Sequence, residues 1–231
     1  MYPNVQAYDR GVMFNPDGRL FQVEYAKEAV RKGATSIGLV VKDGVLFVAH
    51  KNINDPLAVA GTIQKVFRID SHIGATYSGM VSDGLHLVNM ARSNAQNHRL
   101  LFSEVKSVEA LAKEMSAYMM QATMYGGMRP YAVSVLLGGI DSAPRLFEIE
   151  PGASFLGYKA DAIGVGKKIA TDVLVKEYKD NMKLEDGIAL GIKILKKVNE
   201  GKLTTENVDI GYIYDAEEYT MLSQNEISKY L

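Results

Sequence analysis

The chain has 231 residues, 47% of them apolar and 23% charged, with a formal net charge of −1. A chain of that length can bury roughly 70–75% of its unfolded surface, and its balanced charge argues against nucleic acid or an acidic membrane surface as partner, because both demand clustered positive charge. Cysteine is absent, which excludes disulfides and thiolate chemistry and fits a reducing, cytoplasmic setting.

Read from the start, residues 1–15 carry no clear period and are expected to be flexible or loosely extended. Residues 1–10 also lack the charged-then-apolar pattern of a signal peptide. Pro16-Asp17-Gly18 is a turn signal. Leu20, Val23, Ala26 and Val30 then recur at helical spacing, and Arg31, Lys32 and Gly33 close that helix with basic residues and a terminating glycine. Two β-type runs follow at 35–41 and 45–50. The Asp43-Gly44 pair between them signals a hairpin, because such turns favour residues that tolerate positive φ. Further strands are expected at 64–69 and 73–78, and helices at 81–101 and 107–124. Strands return at 131–137 and 145–149, helices at 167–178 and 184–199. A strand pair at 208–214 and 219–222 precedes a short helix from Ser223.

No run of about 18 apolar residues exists to span a bilayer. There is no low-complexity tract or long linker, so residues 1–231 read as one domain. Helices arrive in pairs rather than between every strand. That order argues for an α+β fold, a four-layer α-β-β-α sandwich of two stacked antiparallel sheets flanked by helix pairs, rather than a doubly wound parallel sheet.

Several blocks are more specific. Tyr8-Asp9-Arg10, Phe14 and the run from Pro16 to Ala26 resemble the N-terminal signature of proteasome α subunits, the archaeal type above all. The resemblance continues through Gly33, Gln64-Lys65-Val66, Ser78-Gly79-Met80-Val81-Ser82-Asp83, the Tyr125–Pro130 stretch and Tyr158–Gly164. It covers nearly the whole chain. It implies the sandwich of the N-terminal-nucleophile hydrolases, with 1–15 as a gate segment, 18–32 as an N-terminal helix and 34–231 as the sandwich. It also implies a seven-membered ring of α subunits stacked on β subunits, through which unfolded protein substrates pass.

Catalytic relatives use a threonine whose own free amine serves as its base. The matching stretch here is Gly33-Ala34-Thr35-Ser36, which places Ala34, without a hydroxyl, at the nucleophile position behind an uncut helix. His50 stands where those relatives place an acid, and 59–62, taken as the stretch that would supply a catalytic lysine, contains none. The expectation is therefore a non-catalytic subunit. The alternative is a self-processing threonine hydrolase cut between Ala34 and Thr35.

The resemblance implies that Tyr8, Asp9, Pro16 and Tyr25 form the cluster that holds the gate open. Without it, Tyr25 packs the first helix and Asp9 caps a turn. Between Arg10 and Pro16 the chain is one residue shorter than the archaeal pattern, and Gly11 replaces a usual alanine, so the path of the tail is expected to differ. The resemblance also assigns Lys65 to the terminal carboxylate of an activator's tail, a regulatory ATPase for instance, with Gly33, Gly79 and Met80 as pocket walls. The plainer reading of Lys65 is a solvated lysine at a strand end.

Other signals fail. Residues 163–167 hint at a phosphate loop, but Asp161 stands where the first glycine of that motif belongs and Lys168 where Ser or Thr belongs. His50, His72, His86 and His98 show no metal-ligand spacing, so neither a metal nor a cofactor is expected. Met115, Met119, Met120, Met124 and Met128 read as core filler or as an interaction surface. Lys229-Tyr230-Leu231 faintly resembles a docking tail and reads as the end of a terminal helix.

Overall fold

The computed structural model describes residues 8, 13–53, 55–215 and 218–231. Among these, helix α1 spans Phe21–Lys32, followed by strands β1 (Ser36–Val41), β2 (Gly44–His50), β3 (Val66–Asp70) and β4 (Ile73–Gly79). Helices α2 (Val81–Phe102) and α3 (Val108–Met124) lead to β5 (Val133–Ile140), β6 (Pro144–Ile149), β7 (Phe155–Tyr158) and β8 (Ala160–Ile163). Helices α4 (Lys167–Glu177) and α5 (Leu184–Val198) precede β9 (Val208–Tyr214), β10 (Thr220–Met221) and the short α6 (Gln224–Ile227).

The strands form two five-stranded sheets, ordered β10-β9-β2-β1-β8 and β3-β4-β5-β6-β7, with every pairing antiparallel. Both faces of each sheet are covered, so the central strands are apolar on both sides. In β2, alternate residues Val45, Phe47 and Ala49 join Val66, Leu136, Leu146, Ile163 and Ile213 between the sheets. Leu46 and Val48 point the other way, into a cluster with α4 and α5. In β5, Val133, Val135 and Leu137 pack outward against α2 and α3. Three apolar layers thus separate four structural layers, and the expected α-β-β-α sandwich is what forms.

Helix periodicity explains the outer layers. In α5, Leu184, Gly187, Ile188, Gly191, Ile192 and Leu195 are buried, a stripe at spacings of three and four. In α3 the Ser107 hydroxyl accepts from the Ala110 N–H at 3.2 Å and caps the first turn. The methionines divide along the same geometry. Met115 and Met119 are core residues, while Met120, Met124 and Met128 are exposed.

Two local expectations change. The β1–β2 hairpin forms, but its loop is Lys42-Asp43, and Gly44 already pairs with Val41. Neither Asp43 nor Gly44 takes a positive φ; glycine is needed at 44 because a Cβ would lie 2.3 Å from the Ile213 carbonyl oxygen. Strands β7 and β8 were not anticipated. Each has four residues, too few for a period, and Gly157 in β7 and Asp161 in β8 dilute their β character. No described helix is long and apolar enough to cross a membrane.

Phe47 is fully buried between the sheets. Phe47→Ala is expected to cost about 3–5 kcal/mol, read as a lowered denaturant midpoint with an unchanged slope.

Candidate functional site

The candidate residues are divided between the two ends of α1, with Pro16 in the turn before it and Gly33 where it gives way to β1. The turn leading into α1 is built around Asn15, whose Oδ1 accepts from the N–H groups of Asp17 at 3.1 Å and Arg19 at 2.7 Å. Pro16 occupies its first central position and Gly18 N–H closes it on the Asn15 carbonyl at 2.9 Å. Tyr25 lies on α1, half exposed, with its ring stacked on Phe21 at 6.4 Å between centroids. Tyr8 is half-buried. Asp9 lies outside the described residues, as does Gly11.

Gly33 ends α1 with φ −72° and ψ 157°, so it is not the left-handed terminator that its sequence position suggests. Its constraint is space: a Cβ would sit 2.3 Å from Ser78 Oγ and 2.5 Å from Gly79 N. Gly79 has φ +123°, where side chains are strained, and it turns β4 into Met80 and α2. Asp83, in the first turn of α2, accepts a two-pronged bond from Arg129 at 2.6 and 2.8 Å and a third from Ala132 N–H at 2.9 Å. The Arg129 hydrogen bonds hold the Asp83 carboxyl below the usual range, against the opposing effect of burial. This fork joins the 78–83 and 125–130 blocks and fixes the Met80 corner.

Lys65 reaches the same end of β4 from the chain just before β3. It is only 8% exposed. Its Nζ donates to the Tyr77 carbonyl at 2.7 Å and lies 4.4 Å from the centre of the Tyr77 ring. The Ser36 hydroxyl faces that carbonyl at 3.4 Å, and Thr76 Oγ1 lies 2.9 Å from Ser36 Oγ and 2.7 Å from the Lys65 carbonyl. Burial pushes the Lys65 ammonium down to about 8, and nearby Asp209 opposes that shift. Burial and then the Lys65 charge lower His50. The Lys65 ammonium and the Ser36 hydroxyl, two residues beyond Ala34, thus face the same Tyr77 carbonyl oxygen.

Gly33, Gly79 and Met80 thus meet directly, and Lys65 joins them through Tyr77, two residues before Gly79. Thr35 is buried, and its Oγ1 accepts from Gly166 N–H at 2.9 Å. The loop resembling a phosphate cradle commits its amides inside the fold. Val165 N–H donates to the Gly33 carbonyl at 2.9 Å and Lys167 N–H to the Gly164 carbonyl at 3.1 Å.

A second charged group was not singled out from sequence. Glu148 and Asp161 are both buried. Lys167 Nζ donates to both Glu148 oxygens, at 2.9 and 2.8 Å, and stands 3.8 Å from Asp161 Oδ2. Burial first, and then the Asp161 carboxylate, push Glu148 up to about 8. Glu148 and Lys167 line a cleft of about 460 Å³ that Lys27, Val30 and Arg31 of α1 close from above. No group of three or more acidic or histidine side chains suited to a metal exists among the described residues. His86 bonds the Tyr118 hydroxyl at 2.9 Å, and His72 contacts the Lys106 carbonyl at 2.9 Å.

Residues 30–213 match the family described as "Proteasome subunit", and residues 8–29 match the N-terminal signature of the α-type proteasome subunits. The chain belongs to the proteasome α-subunit family. It is 42% identical to the "Proteasome subunit alpha" of Archaeoglobus fulgidus over 226 residues, which are 97% of this chain and 92% of that protein. It is 40% identical to the protein of the same description from Methanoregula boonei over 235 residues, covering 100% and 98%. It is 42% identical to "Proteasome subunit alpha 2" of Haloarcula marismortui over 229 residues, covering 98% and 94%. The α-type signature ends at residue 29, so it covers the Asn15 turn and most of α1, the helix that packs on β4 and β5.

The Glu148 shift gives a direction for stability. The unfolded chain loses this proton near 4.5, whereas the folded chain keeps it to about 8. Between those values the folded state holds more protons, so stability falls as pH rises through the window and levels above it. Thermal midpoints between pH 5 and 8 are expected to fall more steeply in the native chain than in Glu148→Gln.

Proposed function

We propose that the chain is a non-catalytic α-ring subunit of the 20S proteasome core particle. Seven copies or close relatives form the outer ring, stack on β subunits, gate the passage of unfolded substrates and dock the C-terminal tails of a regulatory ATPase or another activator. The setting is the cytoplasm.

One observation carries the docking reading. The Lys65 ammonium is buried with a carbonyl oxygen and a ring face for company, and among the described residues it has no carboxylate within 4 Å. A buried cation without a counter-ion is costly. The terminal carboxylate of a tail would supply that missing charge, and an ammonium has donors left after Tyr77 takes one. Gly33 and Gly79 crowd the same corner, with Met80 next to Gly79, and these three residues are proposed as walls of the tail pocket. Pro16 sits in the turn before α1 and Tyr25 on that helix, and with Tyr8 and Asp9 they form the proposed gate cluster.

The non-catalytic reading rests on Ala34. It has no hydroxyl, its nitrogen lies in a peptide bond, and α1 precedes it. The rival threonine hydrolase would need Thr35 at a new N-terminus, although its hydroxyl is now bonded to Gly166 N–H.

Native mass spectrometry of the chain expressed alone should give a species of seven or fourteen intact chains. A chain cut before Thr35 would revive the hydrolase, and a monomer would remove the gate argument. Lys65→Ala is expected to retain ring mass and to abolish the stimulation of peptide hydrolysis by a docking-tail peptide in the β-reconstituted particle. Surviving stimulation would refute the docking role.

A further inference from the structure

Asp209 stands on β9 opposite Ala49 of β2 and is 6% exposed. Its two oxygens serve different partners. Oδ2 accepts from the Lys65 backbone N–H at 2.8 Å, and Oδ1 pairs with Lys51 Nζ at 2.9 Å. Lys51 is itself buried, and its N–H donates to the Asn207 carbonyl at 2.7 Å. One carboxylate therefore ties the start of β3 to the end of β2 and is the negative charge set against two buried ammonium groups. We propose that Asp209 is a positioning residue for Lys65: it fixes the backbone from which that side chain springs and keeps the ammonium charged for an incoming carboxylate.

The surroundings make Asp209 the group able to do this. From β2 the site is faced by His50 and Lys51, from β1 by the Ser36 hydroxyl, and from β4 by Thr76 and Tyr77. The Tyr77 phenol is pushed up to about 12 by burial. The Tyr219 phenol, just before β10, is raised by burial and then by Asp209 itself, and its hydroxyl has no hydrogen-bond partner among the described residues. These phenols stay neutral near pH 7, and the remaining neighbours are cations or hydroxyls. Desolvation works against the Lys65 charge and the Asp209 field works for it. Removing that field leaves Lys51 and Lys65 buried together with no anion within 4 Å among the described residues, and the cheapest relief is loss of a proton.

This inference rests on the docking reading of Lys65, and the experiment separates the two. The probe is a synthetic peptide ending hydrophobic-Tyr-X with a free C-terminal carboxylate, titrated onto the full chain between pH 6 and 9. In the native chain its affinity is expected to fall as pH rises through about 8. Asp209→Asn keeps an acceptor for the Lys65 N–H and loses the charge. Its fall-off is expected about one pH unit lower, with binding about tenfold weaker than native at pH 9 and within about twofold at pH 6. Asp209→Glu should return the native profile, and Asp209→Ser, a second uncharged variant, covers the case in which Asp209→Asn does not fold. In an Asp209→Asn, Lys65→Arg chain the profile should be flat, because arginine holds its proton. An unmoved fall-off in both uncharged variants, or an equal loss at every pH, would overturn the Asp209 proposal. Undiminished binding to Lys65→Ala would instead overturn the docking reading beneath it.

Discussion

Three stretches of backbone pass within contact distance at one end of the sandwich, and most of what is particular to this protein depends on their closeness. Gly33 is wedged between the end of β4 and the loop before α4. A Cβ on Gly33 would strike Ser78 and Gly79, and one on Gly164 would lie 2.8 Å from the Gly33 carbonyl oxygen. The crowding draws the three stretches into short hydrogen bonds: Ser78 Oγ donates to the Ala34 carbonyl at 2.9 Å, Val165 N–H to the Gly33 carbonyl, and Gly166 N–H to Thr35 Oγ1. Beyond this junction α1 packs on β4 and β5.

Two buried charge groups lie in this end of the fold, and their balances differ. Lys51, Lys65 and Asp209 hold two cations against one carboxylate. Glu148, Asp161 and Lys167 hold two carboxyl groups against one cation. The acid-rich group can reach balance internally by keeping a proton on Glu148, since two adjacent carboxylates in a dry site do not both ionise readily. The base-rich group has no such simple remedy while Lys65 remains charged, and it faces the corner formed by Gly33, Gly79 and Met80.

Much of the fold was legible because it rests on local patterns. The Pro16-Asp17-Gly18 turn, the helical spacing of Leu20, Val23, Ala26 and Val30, and the β1–β2 hairpin signal are each written within a dozen residues. Strands β7 and β8 were not, because four-residue strands owe their existence to partners far along the chain. The site was legible in part. The α-type blocks led to Lys65, Gly33, Gly79 and Met80, yet sequence read Lys65 as either a docking group or a solvated strand end, and the structure shows it buried. Asp209 and Glu148 gave no signal, because an acid in a β-run looks like an ordinary outward-facing residue until its neighbours from other strands are known. Gly33 and Gly44 were rightly noticed, but for backbone freedom, whereas contact with distant strands is what requires them.

The passage from β7 to β8 has a mechanical consequence. Tyr158 ends a strand of one sheet, Ala160 begins a strand of the other, and Lys159 alone joins them, its carbonyl accepting from Val40 N–H at 2.7 Å. A single residue spans less than about 4 Å, so it has no slack to give. Sliding one sheet along the other at that edge would have to break strand pairing first. A pull applied to α1 or to the α2–α3 face is therefore carried through to the opposite layer as displacement of the whole sandwich, not dissipated as slip between its halves.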